Sequence, residues 1–321
     1  MLKILFAGSP DAARLTLERL VNAQNEYGFA IAGVLSNPPS AKGRHKELIP
    51  TPVAQFAAEK GIPVFTPEHL DAASREAISP LGADLLVSFA YGHIFGPKFL
   101  ALFPLGGINL HPSLLPKYRG CTPVPAAILN RDDKTAVTVQ TLSLKMDEGN
   151  ILAQTLVDLK GTETTESLLT YSAEEGAKLI LDIIKKTSEV GKLPQGTPQA
   201  GEPSYTGIIT KEDGRIDWSE TAEVIEAKIR AYYPEPGCWC IENGLPLRIL
   251  EAKLFIDNKE IPSLQESKPG TVLEFSKPDG ILIKTGNGIL AVRKLQRQGK
   301  NAMDYKSFMN GARNFLGSVL E

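Results

Sequence analysis

The 321-residue sequence predicts an α/β protein: a Rossmann-like domain with an open, mostly parallel sheet, followed by a small β-barrel domain. Three observations support this prediction. Short apolar segments alternate with amphipathic ones over the first part of the chain, which is the pattern of βαβ units. A stretch rich in proline and glycine follows at residues 188–204. Beyond it, about five short apolar segments are separated by glycine-containing turns, as in small barrels.

The composition is that of a globular protein. Hydrophobic residues make up 42% of the chain, charged residues 22%, and the net charge is −2. No apolar run approaches the ~20 residues of a membrane span. The three cysteines are too few for a disulfide framework and predict a reducing, cytoplasmic environment. Cys238 and Cys240 have no partner cysteines, so no metal site is expected.

The first elements form a βαβ unit. Leu2–Ala7 is predicted as a strand, and the helix that follows has Ser9 or Asp11 as its candidate cap. Phe29–Leu35 is predicted as the second strand. Because the turn lacks the G-x-G-x-x-G pattern, a dinucleotide site is not expected.

The segment Ser36–Pro52 interrupts this pattern. It has seventeen residues, four prolines and a basic centre that contains Lys42 and Arg44. Irregular loops of this length inside a compact domain are usually functional or disordered. We therefore predict a functional loop, ended by Thr51 as the cap of the next helix.

A polar pair marks a strand end at residues 106–111. A buried strand at 83–90 ends at the turn Tyr91-Gly92, and the next strand alternates apolar residues with Asn109 and His111. Side chains two residues apart point to the same face of a strand. Pro112 ends the strand beside the histidine, where open α/β sheets place their ligands. Taken alone, His111 could equally be a structural residue at a strand end.

A carboxylate follows on the next strand pair. Residues 135–141 and 151–157 are predicted as paired strands, with Asp147 in the turn between them. Asn109 can donate to an oxyanion, His111 can move a proton, and Asp147 can orient the histidine and accept a proton. Neither G-x-S-x-G nor a Cys-His signature is present, so the expected nucleophile is an external amine attacking an acyl carbon.

The last part of the chain predicts one helix and five strands. The helix covers about 219–231, and the strands cover 238–241, 247–255, 271–275, 281–285 and 289–295. Basic residues accumulate towards the last strand, at Lys284, Arg293, Lys294, Arg297 and Lys300. Both a solvated surface and a footprint for a phosphate backbone fit this cluster.

Four motifs resemble those of the folate-dependent formyltransferases: Asn109-x-His111, Ser113-Leu-Leu-Pro116, Tyr118-Arg-Gly120 and Asp147-x-Gly149. The resemblance implies formyl transfer from 10-formyltetrahydrofolate to an amine, with Asn109, His111 and Asp147 as catalytic residues. It also implies a tetrahydrofolate site formed by Phe89, Tyr91, Gly92, Ile94, Ser113, Leu114, Leu115 and Pro116.

Other segments are similar to the family members that formylate methionyl initiator tRNA. They are the loop with Pro38-Pro39 and Gly43-Arg44, and the segments 215–218, 229–231 and 234–237, which resemble the start of an OB-like, tRNA-binding barrel. The implied partner is initiator methionyl-tRNA, with a monomeric enzyme and tRNA contacts from Lys42, Arg44, Arg293, Lys294 and Arg297. The domains are then 1–187 (catalytic), 188–204 (linker) and 205–321 (OB-like, tRNA-binding).

Some positions depart from the family pattern. The residues common in the family are replaced at Pro112, Phe95-Gly96 and Cys121-Thr122, so the shape of the folate pocket is not predicted. Two alternatives therefore remain: a folate-dependent formyltransferase acting on a sugar-nucleotide amine or a purine precursor, and a non-catalytic RNA-binding module.

Overall fold

The computed structural model describes residues 1–42, 47–256, 266–312 and 314–321. Contacts between residues divide the chain into two compact units. The first consists of Met1–Pro123, Lys134–Asp158 and Leu168–Gly207. The second consists of Val124–Asp133, Leu159–Ser167 and Ile208–Glu321.

The first half of the chain alternates strands with helices, as predicted. The strands are β1 (Leu2–Gly8), β2 (Phe29–Leu35), β3 (Ser40–Lys42), β4 (Glu47–Ile49), β5 (Val64–Phe65), β6 (Leu85–Phe89), β7 (Gly107–His111), β8 (Arg119–Gly120), β9 (Lys134–Thr141), β10 (Ile151–Asp158) and β11 (Tyr205–Thr206). The helices are α1 (Asp11–Tyr27), α2 (Pro52–Glu59), α3 (Ala72–Ile78), α4 (Pro97–Leu100), α5 (Pro123–Leu129) and α6 (Thr165–Val190).

Seven of these strands form one sheet in the order β10-β9-β7-β6-β1-β2-β5. Strands β1, β2, β5, β6 and β7 pair in parallel, and β9 pairs antiparallel with both β7 and β10. The neighbours of β1 are β2 on one side and β6 on the other, so the chain order reverses there. This sheet confirms the predicted Rossmann-like, mostly parallel fold class.

The two faces of the sheet differ in polarity. One face is apolar throughout and belongs to a core that includes Ile108 and Leu110 of β7 and buried residues of α1, α2 and α6. The opposite face is apolar over β1 and the start of β6, and it is polar from Ser88 onwards over β7 and β9. There Asn109 pairs with Gln140 and His111 pairs with Thr138. Because directly paired residues point to the same face, the four polar side chains form one patch.

Two local predictions were wrong in detail. Neither Ser9 nor Asp11 caps α1, whose N-cap is Pro10, because the Asp11 carboxylate accepts from Arg14 Nε and the Ser9 hydroxyl accepts from the backbone of Asn37. Within the predicted irregular loop, β3 and β4 form a short antiparallel hairpin. The prediction that Thr51 caps α2 is confirmed, since its hydroxyl accepts from Ala54 N at 3.1 Å.

The second unit contains an antiparallel sheet. Its elements after residue 208 are α7 (Ala222–Ala231), β12 (Cys238–Glu242), β13 (Leu245–Leu254), β14 (Val272–Ser276), β15 (Gly280–Lys284), β16 (Ile289–Arg297), β17 (Met303–Asp304) and α8 (Tyr305–Gly311). The strand order is β12-β13-β16-β15-β14, with β17 paired to β16. The sequence did not predict β17 and α8.

The C-terminal residues 317–321 join the two edges of this sheet. Ile241 of β12 exchanges two backbone hydrogen bonds with Glu321, and Val272 of β14 donates to the carbonyl oxygen of Ser318 at 2.9 Å. Both edge strands therefore have backbone partners in one short segment, as expected of a sheet that curls into a barrel. In the part of the chain that the structure describes, no helix is both long and apolar enough to cross a membrane.

Candidate active site

The polar patch on β7 and β9 brings together the three residues that the sequence singled out. Asp147 Oδ2 lies 3.6 Å from His111 Nδ1, and Asp147 Oδ1 accepts from Asn109 Nδ2 at 3.4 Å. Both distances are longer than those of ordinary hydrogen bonds. Catalytic contacts in free enzymes are often long and tighten only when substrate is bound.

The Asp147 side chain is 14% exposed, and two shorter hydrogen bonds hold it. Gln140 Nε2 donates to Oδ1 at 2.8 Å, and the backbone N–H of Gly120 donates to Oδ2 at 2.8 Å. Asp147 also has a φ of 52°, in the left-handed region that few non-glycine residues occupy. Its carboxylate is therefore fixed in place and faces His111 and Asn109.

His111 is only 4% exposed, and its two ring nitrogens have different neighbours. Nε2 lies 2.9 Å from the carbonyl oxygen of Tyr118. Because a carbonyl oxygen can only accept, we assign the proton to Nε2. In the neutral ring, the lone pair of Nδ1 then faces Asp147. A second proton on Nδ1 would pair with the Asp147 carboxylate, so Nδ1 is the nitrogen that can exchange a proton in the site.

The glycines of two motifs allow close backbone contacts around the site. A Cβ atom on Gly149 would lie 1.7 Å from the carbonyl oxygen of Thr141. A Cβ atom on Gly120, whose φ is +104°, would lie 2.4 Å from the carbonyl oxygen of Thr206. Gly120 belongs to β8, which pairs in parallel with β11. The motifs Asp147-x-Gly149 and Tyr118-Arg-Gly120 thus depend on glycine for steric reasons.

The residues predicted for the folate site differ in burial. Phe89, Tyr91, Ser113, Leu115 and Pro116 are buried, Leu114 is half-buried, and Gly92 and Ile94 are exposed. Tyr91 stacks on Phe95 with the ring centroids 5.5 Å apart, and burial raises the pKa of Tyr91 to about 12. The Ser113 hydroxyl donates to the carbonyl oxygen of Lys117 at 2.7 Å. The buried members therefore support the loops.

The loops after β6 and β9 expose large apolar side chains. Ile94, in the loop after β6, is 68% exposed, and Leu144, in the loop after β9, is 62% exposed. Met146 is also exposed and directly precedes Asp147. The sequence-based prediction did not include Leu144 and Met146, although their place beside Asp147, the carboxylate predicted in this turn, could have indicated them.

The basic residues predicted to contact tRNA have different surroundings. Arg297 forms a two-pronged ion pair with Glu242, and Arg293 donates to the carbonyl oxygens of Pro278 and Asp279. Lys294 is exposed and, within the described ranges, has no ion pair. Arg44 and the side chain of Lys42 lie outside the described residues.

Two glutamines of the site were missed by the sequence-based prediction. Gln140 lies opposite Asn109, and the alternation of Thr138 and Gln140 with the buried Val137 and Val139 was a usable signal. Gln199 lies in the segment predicted as a linker, and its side chain donates to the backbone oxygen of Asp147 at 2.7 Å. Nothing in the local sequence pattern indicated this contact.

Comparison with known proteins identifies relatives along the whole chain. Residues 2–184 match the family described as formyl transferase, and residues 208–313 match the formyl transferase C-terminal domain. A methionyl-tRNA formyltransferase from Treponema denticola is 45% identical over 329 aligned residues, covering 100% of both chains. The enzymes of that name from Treponema pallidum and Roseiflexus castenholzii are 41% and 39% identical, and the matches cover at least 96% of each chain.

Solved structures share the fold at lower identity. HypX from Aquifex aeolicus, in complex with tetrahydrofolic acid, matches with a TM-score of 0.64 and 16% identity over 98% of this chain and 48% of its own. The present chain thus spans about half the length of HypX. WlaRD, a sugar 3N-formyl transferase solved in the presence of dTDP and 5-N-formyl-THF, matches with a TM-score of 0.62 and 20% identity over 94% and 99% of the two chains.

Proposed function

The chain belongs to the formyl transferase family, and we propose that it transfers a formyl group from 10-formyltetrahydrofolate to the α-amino group of methionyl initiator tRNA. The product is formylmethionyl-tRNA for translation initiation. Full-length relatives with this name support the substrate. The observation that carries the chemistry is the convergence of Asn109, His111 and Asp147 on one polar patch of the sheet.

In the proposed mechanism, the neutral amine attacks the formyl carbon, and negative charge develops on the formyl oxygen. Asn109 donates its amide N–H to this oxygen, and a protonated His111 adds positive charge nearby. As the new N–C bond forms and the bond between the formyl carbon and folate N10 breaks, N10 takes the proton from Nδ1 of His111. Asp147 accepts the proton that the amine loses and returns it to Nδ1. Gln140 and Gly120 keep the carboxylate in position for this transfer.

10-Formyltetrahydrofolate supplies the formyl group as co-substrate. The exposed apolar side chains of Ile94, Leu144 and Met146 fit a ligand that has an aromatic ring system and reaches a polar centre. We place the folate against these side chains and against the residues predicted for the folate site, whose buried members support the loops. The predicted residues are Phe89, Tyr91, Gly92, Ile94, Ser113, Leu114, Leu115 and Pro116.

We assign tRNA binding to residues 205–321 and to the loop that contains Lys42 and Arg44. The catalytic domain is then 1–187 and the linker 188–204, in a monomeric, cytoplasmic enzyme. In the barrel, Lys294 is exposed, whereas Arg293 and Arg297 already donate to protein oxygens and would contact phosphate through their remaining N–H groups.

Arg44 provides a test of the loop assignment. Arg44→Lys keeps the charge but loses the planar fork, so turnover on tRNA should fall. Arg44→Ala should reduce it further, by about 1–3 kcal/mol if a charge-assisted hydrogen bond is lost. Tetrahydrofolate affinity should stay unchanged in both variants. Weaker folate binding with unchanged tRNA kinetics would place Arg44 in the folate site instead.

The decisive experiment compares acceptors. Purified protein is supplied with 10-formyltetrahydrofolate and, in separate reactions, methionyl initiator tRNA, free methionine and an amino-sugar nucleotide. We expect rapid transfer to the charged tRNA alone. Preferred transfer to the sugar nucleotide would overturn the substrate, and the absence of transfer to every acceptor would overturn the enzyme function.

A further inference from the structure

Residues 195–207, here called the return segment, bring a glutamine into the active site. Gln199 Nε2 donates to the backbone oxygens of Asp147 at 2.7 Å and Gly149 at 2.9 Å, and lies 3.2 Å from Gln140 Oε1. Gln199 Oε1 accepts from Nη2 and Nε of Arg119 at 2.8 and 3.1 Å. One uncharged side chain thus contacts four residues around the catalytic carboxylate.

These contacts hold a turn with an unfavourable backbone conformation. Asp147 has a positive φ, which costs a non-glycine residue of order 1–3 kcal/mol and needs support from its surroundings. The backbone oxygens of Asp147 and Gly149 both belong to this turn, and Gln199 donates to both. The side chain therefore holds the turn in the conformation that directs the carboxylate towards His111.

Gln199 also contacts residues on both sides of the Asp147 carboxylate that hold it in place. Gln140, whose amide donates to Asp147 Oδ1, is one neighbour of Gln199. Arg119 is the other, and it directly precedes Gly120, whose N–H donates to Asp147 Oδ2. The return segment is itself anchored there, because Ser204 accepts from the backbone of Tyr118 and β11 pairs with β8.

From these contacts we propose that Gln199, which the return segment carries into the site, is a positioning residue for Asp147. Gln199 acts through the carboxylate and does not touch the substrate. This inference rests on the proposed role of Asp147 in formyl transfer. A misplacement of a catalytic group by about 1 Å can cost on the order of 100-fold in rate. Loss of the Gln199 contacts should therefore lower kcat about 10- to 100-fold.

Two substitutions in the full chain separate the functions of the side chain. Gln199→Glu can still accept from Arg119 but cannot donate to the oxygens of Asp147 and Gly149, and Gln199→Met removes all polar contacts. We expect both to lower kcat while KM for each substrate changes less than about threefold. Gln195→Glu, an exposed residue of the same segment, is the matched control and should behave as the wild type.

A double variant tests whether Gln199 acts through the carboxylate. In an Asp147→Asn background, Gln199→Met should cause no further loss of kcat. The proposal would be overturned if the losses of kcat multiply in the double variant, if only KM changes, or if both single variants keep the wild-type kcat.

A measurement independent of activity keeps this test separate from the proposed function. Because the Gly120 N–H donates to Asp147 Oδ2, its hydrogen exchange reports the position of the carboxylate. We expect faster exchange at Gly120 in Gln199→Glu and no change in Gln195→Glu. Faster exchange in a protein that transfers no formyl group would refute the function alone. Unchanged exchange in an active enzyme would refute the positioning role alone.

Discussion

Replacing Asp147 by asparagine keeps the size of the side chain and removes its charge. In the wild type, each carboxylate oxygen faces a donor at 2.8 Å: Gln140 Nε2 at Oδ1 and the Gly120 N–H at Oδ2. The new amide group must place its NH2 against one of these donors, whichever way it is turned. One short hydrogen bond is lost and a donor–donor contact takes its place.

The substitution should lower the catalytic rate by more than it lowers the stability of the protein. Loss of one charge-assisted hydrogen bond costs about 1.5–3 kcal/mol of stability. Removal of a group that transfers a proton costs ~10²–10⁴ in rate, or about 2.7–5.4 kcal/mol in the barrier. Because the substitution leaves the side chains assigned to folate unchanged, tetrahydrofolate affinity should stay within a few-fold of the wild type.

Initial rates on charged initiator tRNA, a tetrahydrofolate titration and thermal unfolding measure the three quantities. Asp158→Asn is the control, because the Asp158 side chain is 84% exposed and pairs with Lys134 at the surface. It should change none of them. Near-normal turnover in Asp147→Asn would remove the carboxylate from the mechanism, and a loss confined to folate affinity would make it a binding residue.

Four further predictions concern other residues. Gly149→Ala should destabilise the protein by about 3 kcal/mol, the upper range for overpacking, while Gly96→Ala, which has open space around it, should be neutral in thermal unfolding. A thiol reagent should label one of the three cysteines of the native protein, the exposed Cys121, and reaction of all three would contradict the burial of the β12 thiols. Burial raises the pKa of the Cys238 thiol from 9.0 to about 12. The neutral thiol therefore contributes to stability below pH 9, and this contribution is lost as the pH rises towards 12. Tryptophan fluorescence measured across that range can follow the loss. Lys294→Ala should flatten the slope of log K for tRNA against log salt by roughly 0.7–0.9, and an unchanged slope would leave this lysine as solvated surface.

The strand that carries the site could be predicted because its pattern is local. Ile108 and Leu110 face the core while Asn109 and His111 face the polar patch, and this alternation has the two-residue period of a strand. The cap at Thr51 is equally local, because its hydroxyl bonds three residues further along the chain. The motifs around Asp147 then allowed the family to be identified before any contact was known.

The contacts that complete the site could not be predicted in this way. Gln199 is 52 residues from Asp147 and 80 from Arg119, and its proline- and glycine-rich surroundings are typical of a linker. Arg297, predicted as a free phosphate contact, pairs with Glu242 at a separation of 55 residues. The sequence by itself determined the strands and their polar face, because burial imposes periods on neighbouring residues, and local motifs indicated the three catalytic candidates. Only the tertiary structure decided which distant side chains hold those candidates in place, because such partners depend on how the elements pack and leave no period in the chain.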